Sequence, residues 1–182
     1  MILDAIKDRR SVRKYKDTVI SNEQIETLLH AAMLSPSACN TRPWRFIAIT
    51  ERHLLDALAE AHPYGKMIHT APLCIVIVAL PHTQDGVANG LAEGFWPQDC
   101  GAVTQTILVQ AEAMGFGSCW CGVYPKEKTT ANVASVLSPE NGTQYIDLSA
   151  GEVIFSLIAI GEKDEFPNPR GTYDENKVML VR

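Results

Sequence analysis

Helices flanking one mixed β-sheet are the architecture the sequence predicts, and three observations predict it. Helical and strand-like segments alternate along the chain, with no internal repeat, low-complexity tract or linker between them. Residues 73–80 form a continuous β-rich apolar run, the composition of a central strand covered on both faces. Residues 98–114 carry apolar side chains most of the way round a helix, the pattern of an element buried on nearly all sides by core or by a partner subunit.

The elements follow in order. Residues 1–10 read as a short helix with Ile2 and Ile6 on one face. Ser21 opens a second helix as a capping box with Gln24, because each side chain can satisfy the other's orphan backbone donor. Ile25, Leu28, Leu29, Ala32 and Met33 then recur at helical spacing, and Pro36 stops the helix. Residues 45–50 read as a strand and 51–61 as a helix with Leu54, Leu55 and Leu58 inward. Residues 81–97, holding Gly86, Gly90 and Gly94, read as a loop long enough to be functional. After the helix over 98–114, Gly115 supplies a left-handed stop. Residues 118–124 are a strand, 126–137 a helix and 152–160 a strand. The tail from 161 to 182 has only a short apolar finish, so it cannot build a core and must lie on something else.

One domain over residues 1–182 suits a chain of 182 residues that is 46% hydrophobic and 20% charged. A net charge of −5 argues against nucleic acid as the main partner, since phosphate backbones require concentrated positive charge. The N-terminal residues include Asp4, Lys7 and Asp8, not an apolar signal core, and no apolar run is long enough to span a bilayer. A cytoplasmic protein is therefore expected, with its five cysteines reduced.

Three segments could carry chemistry. Arg9-Arg10-Ser11-Val12-Arg13 concentrates guanidinium groups and a hydroxyl in an acidic chain. Such a set suits a phosphate, which arginine meets bidentately. From composition alone a solvated basic helix end is the commoner explanation. Residues 35–44 place small hydroxyl and amide side chains between a helix and a strand, which suits either a polyol or an ordinary capped loop. Residues 115–122 fail the dinucleotide fingerprint, because Trp120 stands at the sixth position and the segment follows a helix. Cys119 and Cys121 are expected on opposite strand faces, as packing thiols and not as a metal or redox pair. Asp99 and Glu93 read as capping residues at a helix start. The five histidines are scattered, with no His-Glu-x-x-His and no Gly-x-Ser-x-Gly, so hydrolase chemistry has no anchor.

Taken together, these segments resemble the nitroreductase family of FMN oxidoreductases. Arg9 to Arg13 is similar to its phosphate motif, and Pro36-Ser37-Ala38-Cys39-Asn40-Thr41-Arg42-Pro43-Trp44 to its second flavin loop. Ala71-Pro72, Trp96-Pro97-Gln98-Asp99 and the segment from Gly115 to Pro125 follow in the family's order. The resemblance implies an α+β, three-layer α-β-α fold with a mainly antiparallel sheet. It implies an intertwined homodimer with FMN at the interface and the tail, about 161–182, crossing to the partner. It implies that Arg9, Arg10, Ser11 and Arg13 hold phosphate, ribityl and pyrimidine groups. Pro36, Ser37, Ala38 and Asn40 would contact the flavin from the other subunit. Trp120, Cys121 and Gly122 would line the isoalloxazine, and Arg170 would be a second phosphate cation, with residues 64–66 a weaker candidate.

The implied activity is a ping-pong transfer of electrons from NADH or NADPH to a small oxidised acceptor such as a nitroaromatic, a quinone or a flavin. No catalytic side chain is implied, and no metal. The alternatives are a specialised relative (reductive dehalogenation or flavin destruction) and a non-enzymatic FMN-binding protein. Two departures bear on substrate and donor preference: Arg42 where members often have Gln, and Cys121 where some have an acidic residue.

Overall fold

Local chemistry sets where each element begins. The computed structural model describes the chain apart from residues 139–141, 169 and 172 and the side chain of Ala88. Helix α1 (Asp4–Asp8) is shorter than the expected 1–10 and buries none of its residues, and Ile2 and Ile6 are exposed. The chain leaves it at Arg9, where ψ of 130° turns the backbone extended. Helix α2 (Asn22–Met33) opens on the capping box: Ser21 Oγ accepts the Gln24 N–H at 3.2 Å and Gln24 Oε1 accepts the Ser21 N–H at 2.9 Å. Strand β1 (Trp44–Ile49) leads to α3 (Arg52–Ala61), which buries Leu55 and Leu58, with Leu54 half-buried.

Strand β2 (Leu73–Ala79) is buried at every position, as its unbroken apolar run requires. The loop expected over 81–97 contains two short 3₁₀ turns, Pro81–Gln84 and Ala88–Gly90. It yields to helix at Trp96, earlier than expected, because a proline is compatible with the first helical turn. Helix α4 (Trp96–Ala113) is followed by β3 (Phe116–Gly122), α5 (Glu127–Leu137) and β4 (Val153–Glu162).

The four strands form one sheet in the order β1-β2-β4-β3, every neighbour antiparallel. Among the described residues, the parallel part of the expected mixed sheet is a single bridge between Ser11 and Ser118. Each sheet face has its own core. Cys74, Val76, Val78, Leu157 and Ala159 pack with Leu55 and Leu58 of α3 and Val133 and Leu137 of α5. Leu73, Ile75, Ile77, Ile158 and Ile160 pack with Val103, Ile107 and Ala111 of α4 and Leu28 and Ala32 of α2. Three layers result, and the alternation of residues along β2 assigns each side chain to one of them. Among the described residues, no helix is long and apolar enough to cross a membrane.

Candidate functional site

The cationic segment lies on the outer edge of β3. Val12 N–H donates to Ser118 O at 3.0 Å, and Tyr15 bridges Lys163 at the end of β4. Contact is close: a Cβ on Gly117 would come within 2.7 Å of the Val12 side chain, so only glycine admits residue 12 here. Arg9, Arg10 and Ser11 are half-buried and Arg13 is exposed. The Arg10 guanidinium donates to the carbonyls of Lys7 (2.9 Å), Arg9 (2.6 Å) and Asn168 (3.0 Å).

The start of the tail runs along the same segment. Asp164 N–H donates to Lys14 O, Lys16 N–H donates to Glu162 O, and Glu165 Oε1 accepts the Arg13 N–H at 2.5 Å. Arg170 lies two residues beyond the Arg10–Asn168 contact and is exposed. Pro169 between them is outside the described residues.

Arg13, Lys14 and Tyr15 line a cavity of about 590 Å³ together with Tyr64, Lys66 and Met67. That is within the usual range for small-molecule sites. Three cations therefore face one cavity, against the single carboxylate of Asp164. Lys66 was the weaker expectation from the sequence, and here it joins Arg13.

Ser118 and Gly122 both send their carbonyls away from β4, to Val12 and His62 respectively. Strand alternation then aims the N–H groups of Trp120 and Gly122 at the same outer edge. Trp120 itself is 40% exposed, on the face opposite the two cysteines, with its ring 6.0 Å from that of Phe155.

The expectation that Cys119 and Cys121 point to opposite faces is corrected. Residues two apart on a strand share a face, and both thiols are buried. The adjacent Cys121 thiol, then the charges of Arg13 and Arg9, hold the Cys119 thiol below the ordinary thiol range against its burial. The Cys121 thiol, whose Sγ lies 3.9 Å from the Tyr64 carbonyl and 3.6 Å from Met67 Sδ, is raised by its Cys119 neighbour and by burial.

The 36–42 loop is held elsewhere. Cys39, Asn40 and Arg42 have φ of 49°, 56° and 49°, left-handed values that cost non-glycine residues about 1–3 kcal/mol each. Ser37 Oγ accepts the Arg42 N–H at 2.9 Å. Asp99 is 7% exposed, and its carboxylate accepts the Ala38 N–H at 3.1 Å and the Gln84 side-chain amide at 2.9 Å. Gln84 Oε1 accepts the Trp96 N–H at 3.0 Å. Burial raises the Asp99 carboxyl above its ordinary range despite these two bonds. Asp99 is thus a tether between loop and helix and not the helix cap expected from the sequence.

Within one chain the two groups of expected flavin contacts stand apart. The 36–42 loop leads into β1 at one sheet edge, and Arg9 to Arg13 lie on β3 at the other. Three inter-strand steps separate those edges, about 14 Å.

A model of the nitroreductase family matches residues 6–63 and 59–161. A relative from Methanothermobacter thermautotrophicus, named "Putative NADH dehydrogenase/NAD(P)H nitroreductase", is 37% identical over 182 residues, 100% of this chain and 87% of its own. One of the same name from Archaeoglobus fulgidus is 40% identical over 165 residues, 90% of this chain and 86% of its own. The structure of an FMN-dependent nitroreductase from Clostridium difficile superposes with a TM-score of 0.79 at 27% identity, covering 98% of each chain.

Proposed function

The chain belongs to the nitroreductase family, and from that premise we propose that it is an FMN-dependent oxidoreductase passing electrons from NADH or NADPH to a small oxidised acceptor. The observation that carries this reading is the combination of a cavity edged by Arg13, Lys14 and Lys66 with the N–H groups that β3 turns to its outer edge. It offers cations for a phosphate and an electron-rich ring, and backbone donors for ring heteroatoms, which is the donor set a flavin mononucleotide requires.

Bound FMN supplies the hydride-accepting and hydride-donating chemistry. The protein's residues bind and orient. Arg9, Arg10, Ser11 and Arg13 hold the phosphate and ribityl chain, and Arg170 adds a cation from the tail. Arg10 must exchange some of its backbone carbonyl contacts for phosphate oxygens, a favourable exchange because a charged acceptor strengthens each bond. Arg13 and Lys66 set positive charge along the cavity, which favours the more negative state of the bound ring. Trp120, Cys121 and Gly122 present the β3 edge to the ring. The separation of the 36–42 loop from that edge supports a homodimer in which Pro36, Ser37, Ala38 and Asn40 of one subunit complete the other's site.

The test is direct. Purified protein should bind FMN stoichiometrically and be bleached anaerobically by NADH or NADPH, then reoxidised by a nitroaromatic or quinone. The Arg9→Ala, Arg13→Ala double variant should release the flavin. A protein that takes up no FMN when it is supplied would sink the proposal.

A further inference from the structure

One buried imidazole joins the end of β3 to the turn that leads into the cavity wall. His62 caps the C-terminal end of α3, where its own N–H donates to Leu58 O, and it is 4% exposed. Its Nδ1 lies 3.2 Å from the Tyr64 N–H, which can only donate, so Nδ1 is the acceptor. The ring proton is then on Nε2, which donates to Gly122 O at 2.9 Å across 60 residues of sequence. The turn between the two contacts is tight. Gly65 N–H donates to His62 O at 2.9 Å, and a Cβ on Gly65 would stand 2.9 Å from His62 Cβ. Beyond that turn come Tyr64, Lys66 and Met67 of the cavity wall, and Gly122 is the last residue of β3.

We propose that His62 is a positioning residue for the flavin site: its Nε2–H fixes the Gly122 peptide at the end of β3, while its Nδ1 fixes the Tyr64–Lys66 wall. This rests on the FMN reading above. Gly122 is where the outward N–H groups of β3 end, so the His62 bond pins the peptide at that end of the row, in the register that β4 sets. Tyr64 leads directly to the cation Lys66. A single side chain of fixed tautomer therefore holds the backbone donors and the cavity cation in one frame. Fixed donors favour a charge-bearing ring only when they need not reorganise.

Removing His62 orphans the Gly122 carbonyl and the Tyr64 N–H together. The His62→Phe variant keeps the ring volume and loses both bonds, and His62→Gln can restore both, since its amide donates from Nε2 and accepts at Oε1. The assays are FMN dissociation by fluorescence titration of apoprotein, the midpoint potential of bound flavin, and kcat and KM with a quinone. Expected for His62→Phe are about tenfold weaker FMN binding and a more negative potential. Expected in turnover is a fall in kcat at nearly constant KM, with His62→Gln close to wild type on all counts. If His62→Phe does not fold, His62→Asn, polar but too short to reach Gly122, takes its place. A folded variant whose affinity, potential and kcat stay within twofold of wild type overturns the proposal, as does one altered only in thermal stability. A wild-type protein that binds no FMN would instead overturn the functional reading.

Discussion

Changing Asp99 to asparagine isolates how the strained loop is held. The carboxylate accepts from both sides, from Ala38 N–H and from the Gln84 amide. Asparagine has one acceptor and one donor. If its oxygen stays with Ala38, its NH₂ meets the NH₂ of Gln84. Gln84 cannot turn over without stranding the Trp96 N–H, because its own oxygen already accepts that bond. Whichever way the network relaxes, one buried donor loses its acceptor, at roughly 1–3 kcal/mol. Burial of the ionised carboxyl, which raises its pKa, works the other way and returns part of that cost. The net loss is expected at the lower end, about 1–2 kcal/mol, or about 2–8 °C in Tm for a chain of this size. Thermal and urea unfolding measure it. The left-handed residues at 39, 40 and 42 should relax once untethered, so FMN affinity should fall with stability. A variant as stable as wild type, or more so, would refute the assignment of Asp99 as the tether.

Two further outcomes follow from close contacts. Gly117→Ala drives a methyl into Val12, so the cationic segment should be displaced from β3, with FMN binding weakened about tenfold or more in a fluorescence titration and stability lowered by roughly 1–3 kcal/mol. His69 sits between Asp56 (3.0 Å) and Glu60 (2.8 Å), and these hydrogen bonds, Asp56 first, raise its pKa, while the bond from His69 lowers that of Asp56. A raised histidine contributes fully below its ordinary 6.5 and loses that contribution as pH rises through its folded value. A lowered carboxyl contributes above 3.8 and loses that contribution as pH falls through its folded value. The stability difference between wild type and His69→Gln should therefore be greatest from mildly acidic pH up to near 6.5 and close toward alkaline pH. A difference in Tm that stays flat across that range would refute the linkage.

The parts of this molecule legible in its sequence are those governed by local chemistry. The capping box at Ser21, the doubly covered strand at Leu73–Ala79 and the helix ending before Gly115 follow from neighbours along the chain, and each falls within a few residues of its expected bounds. The cationic segment was visible as composition, but its seat on β3 was not, because that depends on Gly117 meeting Val12 across 105 positions. Gln84 and His62 were missed for the same reason. A lone glutamine in a loop and one histidine among five carry no spacing signal, and their partners at Asp99 and Gly122 come from distant segments. The short turn from His62 to Gly65 offered a faint hint, since the glycine there has a steric purpose. Cys119 and Cys121 differ in kind. Their shared face was available from the two-residue strand period alone.

The pairing of residues 162–168 with residues 10–16 has a consequence for how the protein folds. The Arg13 backbone N–H donates to Glu165, 152 positions along the chain, and the Arg10 guanidinium donates to Asn168, 158 positions along. Strand β4, the inner neighbour of both β2 and β3, likewise joins β2 across a long stretch of sequence. The cationic segment and its partners in the tail therefore meet only when a loop of about 150 residues closes. Contacts this remote slow folding and delay completion of the central sheet. The seating of residues 10–16 is consequently a late step of folding, because it waits on contacts some 150 positions away.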